Sequence, residues 1–160
     1  MKKTLKIVMG ILLCSGVGYL SSIVTRSSLT TWYPQIEKPW FNPPNAVFPI
    51  VWPILYILMG IAVGMVWAKR AAAESLVRKA LIVFGVQLLL NALWSILFFG
   101  LQNPKLAFFE LVVLLVAVIF CGRQFYKISP WAAYLLVPYV LWLSFAGILN
   151  FSIWMLNPQP

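Results

Sequence analysis

Residues 32–52 read WYPQIEKPWFNPPNAVFPIVW. In this stretch Trp32, Tyr33, Trp40, Phe41, Phe48 and Trp52 are interleaved with Pro34, Pro39, Pro43, Pro44 and Pro49. Proline fixes φ and removes a backbone donor, so most of the segment is excluded from regular helix. It is also far more aromatic than a solvated linker. A stiff, aromatic, non-helical segment between two apolar helices has two readings. One is a lid or wall over a flat, apolar ligand. The other is an aromatic belt lying in the headgroup layer of a membrane. The segment alone leaves both open.

The flanks of this stretch set the class. The chain of 160 residues is 62% hydrophobic and 9% charged, with a mean hydropathy of +0.93. A soluble domain of this size cannot cover so much apolar surface with so few charges. The expected class is therefore an all-α integral membrane protein of a single domain, residues 1–160. Five apolar segments meet the length of about 20 residues that a bilayer demands: about 5–24, 45–67, 80–100, 106–126 and 131–156. The loop of about 26–44 joins the first two, which is long for a compact domain and so favours a functional role. Asn103-Pro104 and Ser129-Pro130 stop one span and start the next, each proline suiting a first helical turn. The opening MKKTLKIVMGILLCSG resembles a secretion signal. Because the apolar run continues past Cys14 to Val24, it is expected to be a retained transmembrane helix rather than a cleaved signal.

The charges orient the bundle. The net charge is +9, with only Glu37, Glu74 and Glu110 as acids. The basic residues sit at span ends, which is a topology signal rather than a nucleic-acid footprint. With the N-terminus inside, Lys2, Lys3, Lys6, Lys69, Arg70, Arg78, Lys79, Arg123 and Lys127 are internal, and only Arg26, Lys38 and Lys105 are external. The positive-inside rule then expects the C-terminus and the Pro/aromatic loop outside. There is no histidine, and Cys14 and Cys121 both lie in apolar spans. A disulfide framework, a zinc or copper site and His-ligated haem are all disfavoured, so no metal and no cofactor are expected. Ser–His or Cys–His catalysis has no histidine to use, and no two carboxylates share a span.

Spacing within the spans points to inward faces. Gln87, Asn91 and Ser95 recur every fourth residue on the third span, beside Trp94. Trp142, Ala146 and Asn150 do so on the fifth, with Pro138 one turn earlier, and Trp52, Tyr56 and Gly60 do so on the second. Polar groups in hydrocarbon are costly unless they are paired or line a cavity. Two readings of Asn91 and Asn150 remain open on spacing alone: pocket anchors, or hydrogen bonds between helices. Gly10, Cys14, Gly18 and Ser22 form a small-residue stripe that suits either packing or dimerisation. Gly60 and Gly64 are read as packing within one bundle. Trp67, Trp131 and Trp154 fall at span ends as interface anchors. Glu110, the one acid inside a span, is a weak site candidate that could snorkel, pair with Lys105 or face the bundle.

The motifs WYPQIEKPWFNPP, PIVWPILY, LNALWSILFFG and PYVLWLSFAGILN, in this order on five spans, resemble the translocator protein family (TspO/MBR). Its members are also called tryptophan-rich sensory proteins or peripheral-type benzodiazepine receptors. The resemblance covers about residues 16–150 and implies a bacterial member: a five-helix bundle in the bacterial cell membrane, usually a homodimer, with a pocket under the first loop. Implied ligands are porphyrins, protoporphyrin IX above all, and synthetic isoquinoline carboxamides and benzodiazepines. Carried over by motif, Trp32, Trp52, Asn91, Trp94, Trp142, Ala146 and Asn150 would bind ligand, with Tyr56 on the same wall and Pro43 and Pro44 shaping the lid. Trp40 and Phe41 would hold the lid in the interface. The LNFSIWMLNPQP ending lacks the Tyr-then-Arg pattern of animal members, which puts sterol binding in doubt.

The resemblance implies three functions, in this order. The first is a receptor or sensor that binds tetrapyrroles. The second is light- and oxygen-dependent protoporphyrin degradation, with Trp32 and Trp142 as the oxidisable indoles. The third is transport, which is disfavoured by the lack of an internal repeat.

Overall fold

Proline placement sets the helix boundaries in the computed structural model, which describes residues 2–158. Helix α1 runs Lys3–Thr31, α2 Phe48–Ala68, α3 Glu74–Ser95, α4 Pro104–Tyr126, α5 Pro130–Tyr134 and α6 Val137–Leu156. A proline occupies the first turn of α2, α4, α5 and α6, where its missing N–H is not needed. Short 3₁₀ turns at Tyr33–Gln35 and Asn45–Val47 punctuate the Pro/aromatic loop. Among the described residues every element is helical. Five helical stretches are long and apolar enough to cross a membrane, as the hydropathy pattern requires.

Three boundaries depart from the sequence reading. The first span continues to Thr31, so the lid loop is shorter than expected. The polar segment stays helical because Thr25, Thr30 and Thr31 hydroxyls donate back to carbonyls one turn earlier. The third span ends in a π-helical turn, Ile96–Gly100, closed by Leu101 N–H to Ile96 O at 2.7 Å. The carbonyl of Phe99 in that turn accepts from Ser28 Oγ at 2.5 Å and so ties α1 to α3. The fifth span is two helices, interrupted at Leu135 and Leu136. Pro138 accounts for the interruption: it has no N–H for Tyr134 O, and its ring crowds that carbonyl.

Small residues set the α1–α2 contact. A Cβ on Gly60 would meet the backbone of Ile11 and Gly10, and a Cβ on Gly64 would meet the backbone of Ile7. A Cβ on Gly18 would meet the Tyr56 ring. The two glycine stripes therefore pack against each other inside one chain, and the close approach is what they supply. Cys14, between them, is buried and free of disulfide.

The core has two parts. The larger lies toward the loop between α2 and α3 and includes Met59, Val66, Val77, Ala80, Phe84, Leu114, Cys121 and Phe125. The smaller lies toward the Pro/aromatic loop and gathers Tyr33, Trp94, Phe98, Phe99, Ala107, Leu111, Ala146, Leu149 and Ile153. Trp52 packs against both. The candidate site sits in the smaller part.

Candidate functional site

Indoles from three helices converge beneath the loop. Trp52 comes from α2, Trp94 from α3 and Trp142 from α6. Their rings enclose a cavity of about 20 Å³, which Tyr33, Phe48, Phe98, Phe99, Ala146, Leu149, Asn150 and Ile153 also line. Helical periodicity brings them there, since Trp94 and Phe98 are one turn apart, as are Ala146 and Asn150. Trp94 stacks on Phe98 with centroids 5.3 Å apart and planes at 21°. Trp52 lies 6.2 Å from Trp94, tilted by 31°. Phe48 meets Trp142 edge-on at 6.1 Å.

Two hydrogen-bond networks hold this wall. Trp94 Nε1 donates to Asn150 Oδ1 at 3.1 Å, and Asn150 Nδ2 donates to Pro104 O at 2.7 Å. Beside them, Tyr56 OH donates to Asn91 Oδ1 at 2.5 Å, and Asn91 Nδ2 donates to Tyr139 OH at 2.8 Å. Leaving one such buried group unpaired costs about 1–3 kcal/mol. Trp142 is different: its Nε1 is buried and has no partner. Its donor therefore remains available to a bound molecule.

The roof is built from the loop. Tyr33 is 1% exposed, and its hydroxyl donates to Asn42 Oδ1 at 2.6 Å. Lys38 Nζ donates to Tyr33 O and Ile36 O, both at 2.7 Å, and lies 5.1 Å from the Tyr33 ring centroid. The end of α6 reaches back to the loop. Glu37 N–H donates to Asn157 Oδ1 at 3.0 Å, and Asn157 Nδ2 donates to Glu37 O at 2.8 Å. A single amide thus pairs with both backbone groups of one loop residue.

The residues singled out by sequence divide by position. Trp52, Trp94, Trp142, Ala146 and Asn150 line the cavity. Tyr56 and Asn91 do not: they are hydrogen-bonded to each other, and Asn91 also to Tyr139. Trp32 packs edge-on against Phe98 at 5.6 Å, outside the cavity lining. Pro43 and Pro44 also stand off the lining, in the loop before the second 3₁₀ turn. Trp40 is 95% exposed at the loop's outer edge. Both Glu110 carboxylate oxygens are buried without a hydrogen-bond partner, and Glu110 is not on the cavity wall. The lining also includes Tyr33, Phe48, Phe98, Phe99, Leu149 and Ile153, which the motifs do not single out as ligand-binding. The last two share the Ala146 face at offsets of three and seven, a signal present in the helical period. Nothing local pointed to Asn157, because its partner is 120 residues away in sequence.

A second void lies on the other side of Trp142. It is an open groove of about 400 Å³ between α2 and α6, lined by Val51, Ile54, Leu55, Pro138, Leu141, Trp142 and Phe145. None of these is charged.

Comparison with known proteins agrees with this architecture. The sequence pattern of the TspO/MBR family matches residues 10–155. The chain is 43% identical to the tryptophan-rich protein TspO of Archaeoglobus fulgidus over 153 residues, covering 96% of this chain and 97% of that one. It is 37% identical to the tryptophan-rich sensory protein of Cereibacter sphaeroides, covering 79% and 77%. It is 34% identical to the translocator protein of Bos taurus, covering 88% and 83%.

Proposed function

The chain belongs to the TspO/MBR family, and from that premise we propose that this multi-pass membrane protein is a receptor for flat, hydrophobic tetrapyrroles, protoporphyrin IX first among them. The observation that carries the reading is the convergence of Trp52, Trp94 and Trp142 on one cavity beneath a closed roof. Stacked indoles offer π-faces to a planar macrocycle. A few placed polar groups, here Trp142 Nε1 and the Asn150 amide, fix its orientation. Lys38 supports the same reading at the wet end. Its ammonium has three donors, and two are spent on loop carbonyls, which leaves one for a propionate.

The cavity is too small for such a ligand as it stands. About 20 Å³ holds one water, whereas a drug-sized ligand needs on the order of 300–1,000 Å³. Binding therefore requires the wall or the roof to move. Titration of detergent-solubilised protein with protoporphyrin IX, followed by Trp quenching, tests the assignment. Replacing Trp142 by Phe removes an unpaired donor and shrinks the stacking face, so affinity should fall by about 1–2 kcal/mol. Unchanged affinity in Trp142→Phe would remove the pocket assignment. Degradation under light is the second reading. Trp142 is its donor on the cavity wall, while Trp32 stands outside. Transport ranks third. A homodimer in the bacterial membrane is part of the same proposal.

A further inference from the structure

We propose that the pocket is loaded sideways, from the hydrocarbon core of the bilayer, through the α2–α6 groove, with the Trp142 indole as the gate. The inference rests on the ligand reading above and adds the route and the physical state of the ligand: a planar apolar molecule dissolved in lipid.

Four observations support it. First, the roof is fastened. Tyr33 is buried beneath it, Lys38 is tied to two loop carbonyls, and Asn157 clasps both backbone groups of Glu37. Opening it breaks all of these bonds together. Second, the larger void beside the cavity is the groove, and Trp142 is the side chain that lines both. Third, the groove is apolar throughout and faces outward from the bundle. Ile54 and Leu141 on its two sides are 52% and 65% exposed. In a membrane that surface meets acyl chains, and a ligand partitioned into lipid arrives there already concentrated and largely dehydrated. Fourth, Trp142 is the wall indole that borders the groove, and no hydrogen bond holds it. Trp94 is pinned by Asn150, but Trp142 Nε1 has no partner. Its ring is flanked by Phe48 and Phe145 through edge and tilted contacts. Pro138, one turn before it, sits beside the break between α5 and α6 and lines the groove. A rotation of Trp142, with Phe145 following, would join the groove to the cavity without disturbing the roof.

The test uses full-length protein in liposomes with protoporphyrin IX preloaded in the lipid, and follows Trp quenching with time. Filling the groove with the double substitution Ile54→Phe and Leu141→Phe should slow association and dissociation by about tenfold each while leaving equilibrium affinity unchanged. Asn157→Ala, which unfastens the roof, should leave the association rate as it is. The opposite pattern, no effect of groove filling and faster association in Asn157→Ala, would place the route over the roof and overturn the proposal. A second readout needs no porphyrin. Lipids carrying a mid-chain nitroxide should quench the part of the emission that Trp142→Phe removes, and groove filling should protect it. Equal quenching in the parent and the groove-filled protein would show that acyl chains do not reach Trp142 through the groove. That would sink the route even if the pocket bound a different ligand.

Discussion

At Tyr33 the lid's closure is written into one phenol. Burial pushes its pKa from the ordinary 10.0 up to about 12, and the hydrogen bond to Asn42 offsets part of the rise. The sign follows from proton counts. Between pH 10 and about 12 the opened loop loses the Tyr33 proton while the closed loop keeps it, so closure weakens as pH rises through that window. Below it the contribution is fully present. A difference titration of tyrosinate absorbance between the parent and Tyr33→Phe should therefore show one phenol ionising near 12 rather than near 10. Ionisation at the ordinary value would mean that Tyr33 does not stay buried under the roof. The residue scale also marks where sequence reading stops. That Trp52, Trp94 and Trp142 share a wall follows from helical period and a few motifs. That Asn91 pairs with Tyr56 and Tyr139 rather than lining the cavity depends on side chains 35 and 48 residues distant. Spacing allowed both fates for that amide.

At the scale of elements, the α1–α2 pair rests on the absence of side chains. Gly64 faces the Ile7 and Lys6 backbone, and Gly60 faces Ile11. There is no flexible side chain there to yield, so an added branch must push the helices apart. Gly64→Val should cost about 1–3 kcal/mol, as overpacking generally does. It should appear as a lower melting temperature in detergent by circular dichroism. Gly16 has open space around its Cβ position, so Gly16→Val is the matched control and should melt close to the parent. A fall of similar size in both would point to helix propensity rather than the interface. The five spans themselves were legible, because length and hydropathy suffice for them. The interruption of the fifth span does not follow from Pro138 alone. A proline in an apolar run can start, kink or break a helix, and the neighbours decide which. The persistence of α1 to Thr31 was hidden for a related reason. Hydroxyl side chains read as loop formers, but here they bond back to their own helix.

For the whole molecule, the placement of charge predicts its orientation in the membrane. The end of the bundle with the α2–α3 loop carries Lys69, Arg70, Arg78 and Lys79, and Arg123 and Lys127 lie at the same end. The end with the roof has Arg26, Lys38 and Lys105. The Arg70–Glu74 ion pair, at 3.1 Å, is exposed and cancels little of that excess. Positive charge resists translocation, so the roof and the cavity beneath it should face outward. Cysteine accessibility gives the answer in intact cells. The native Cys14 and Cys121 are both fully buried and supply a low background. A membrane-impermeant maleimide should label Ala46→Cys, in the loop, without permeabilisation, and Ala72→Cys, in the α2–α3 turn, only after it. Both native alanines are exposed, so a failure to react reports sidedness rather than burial. The reverse pattern would turn the molecule over. The pocket would then open toward the cytoplasm, and any outward-facing sensing role would go with it. The lateral route through Trp142 would stand, since a ligand dissolved in the bilayer reaches the α2–α6 groove in either orientation.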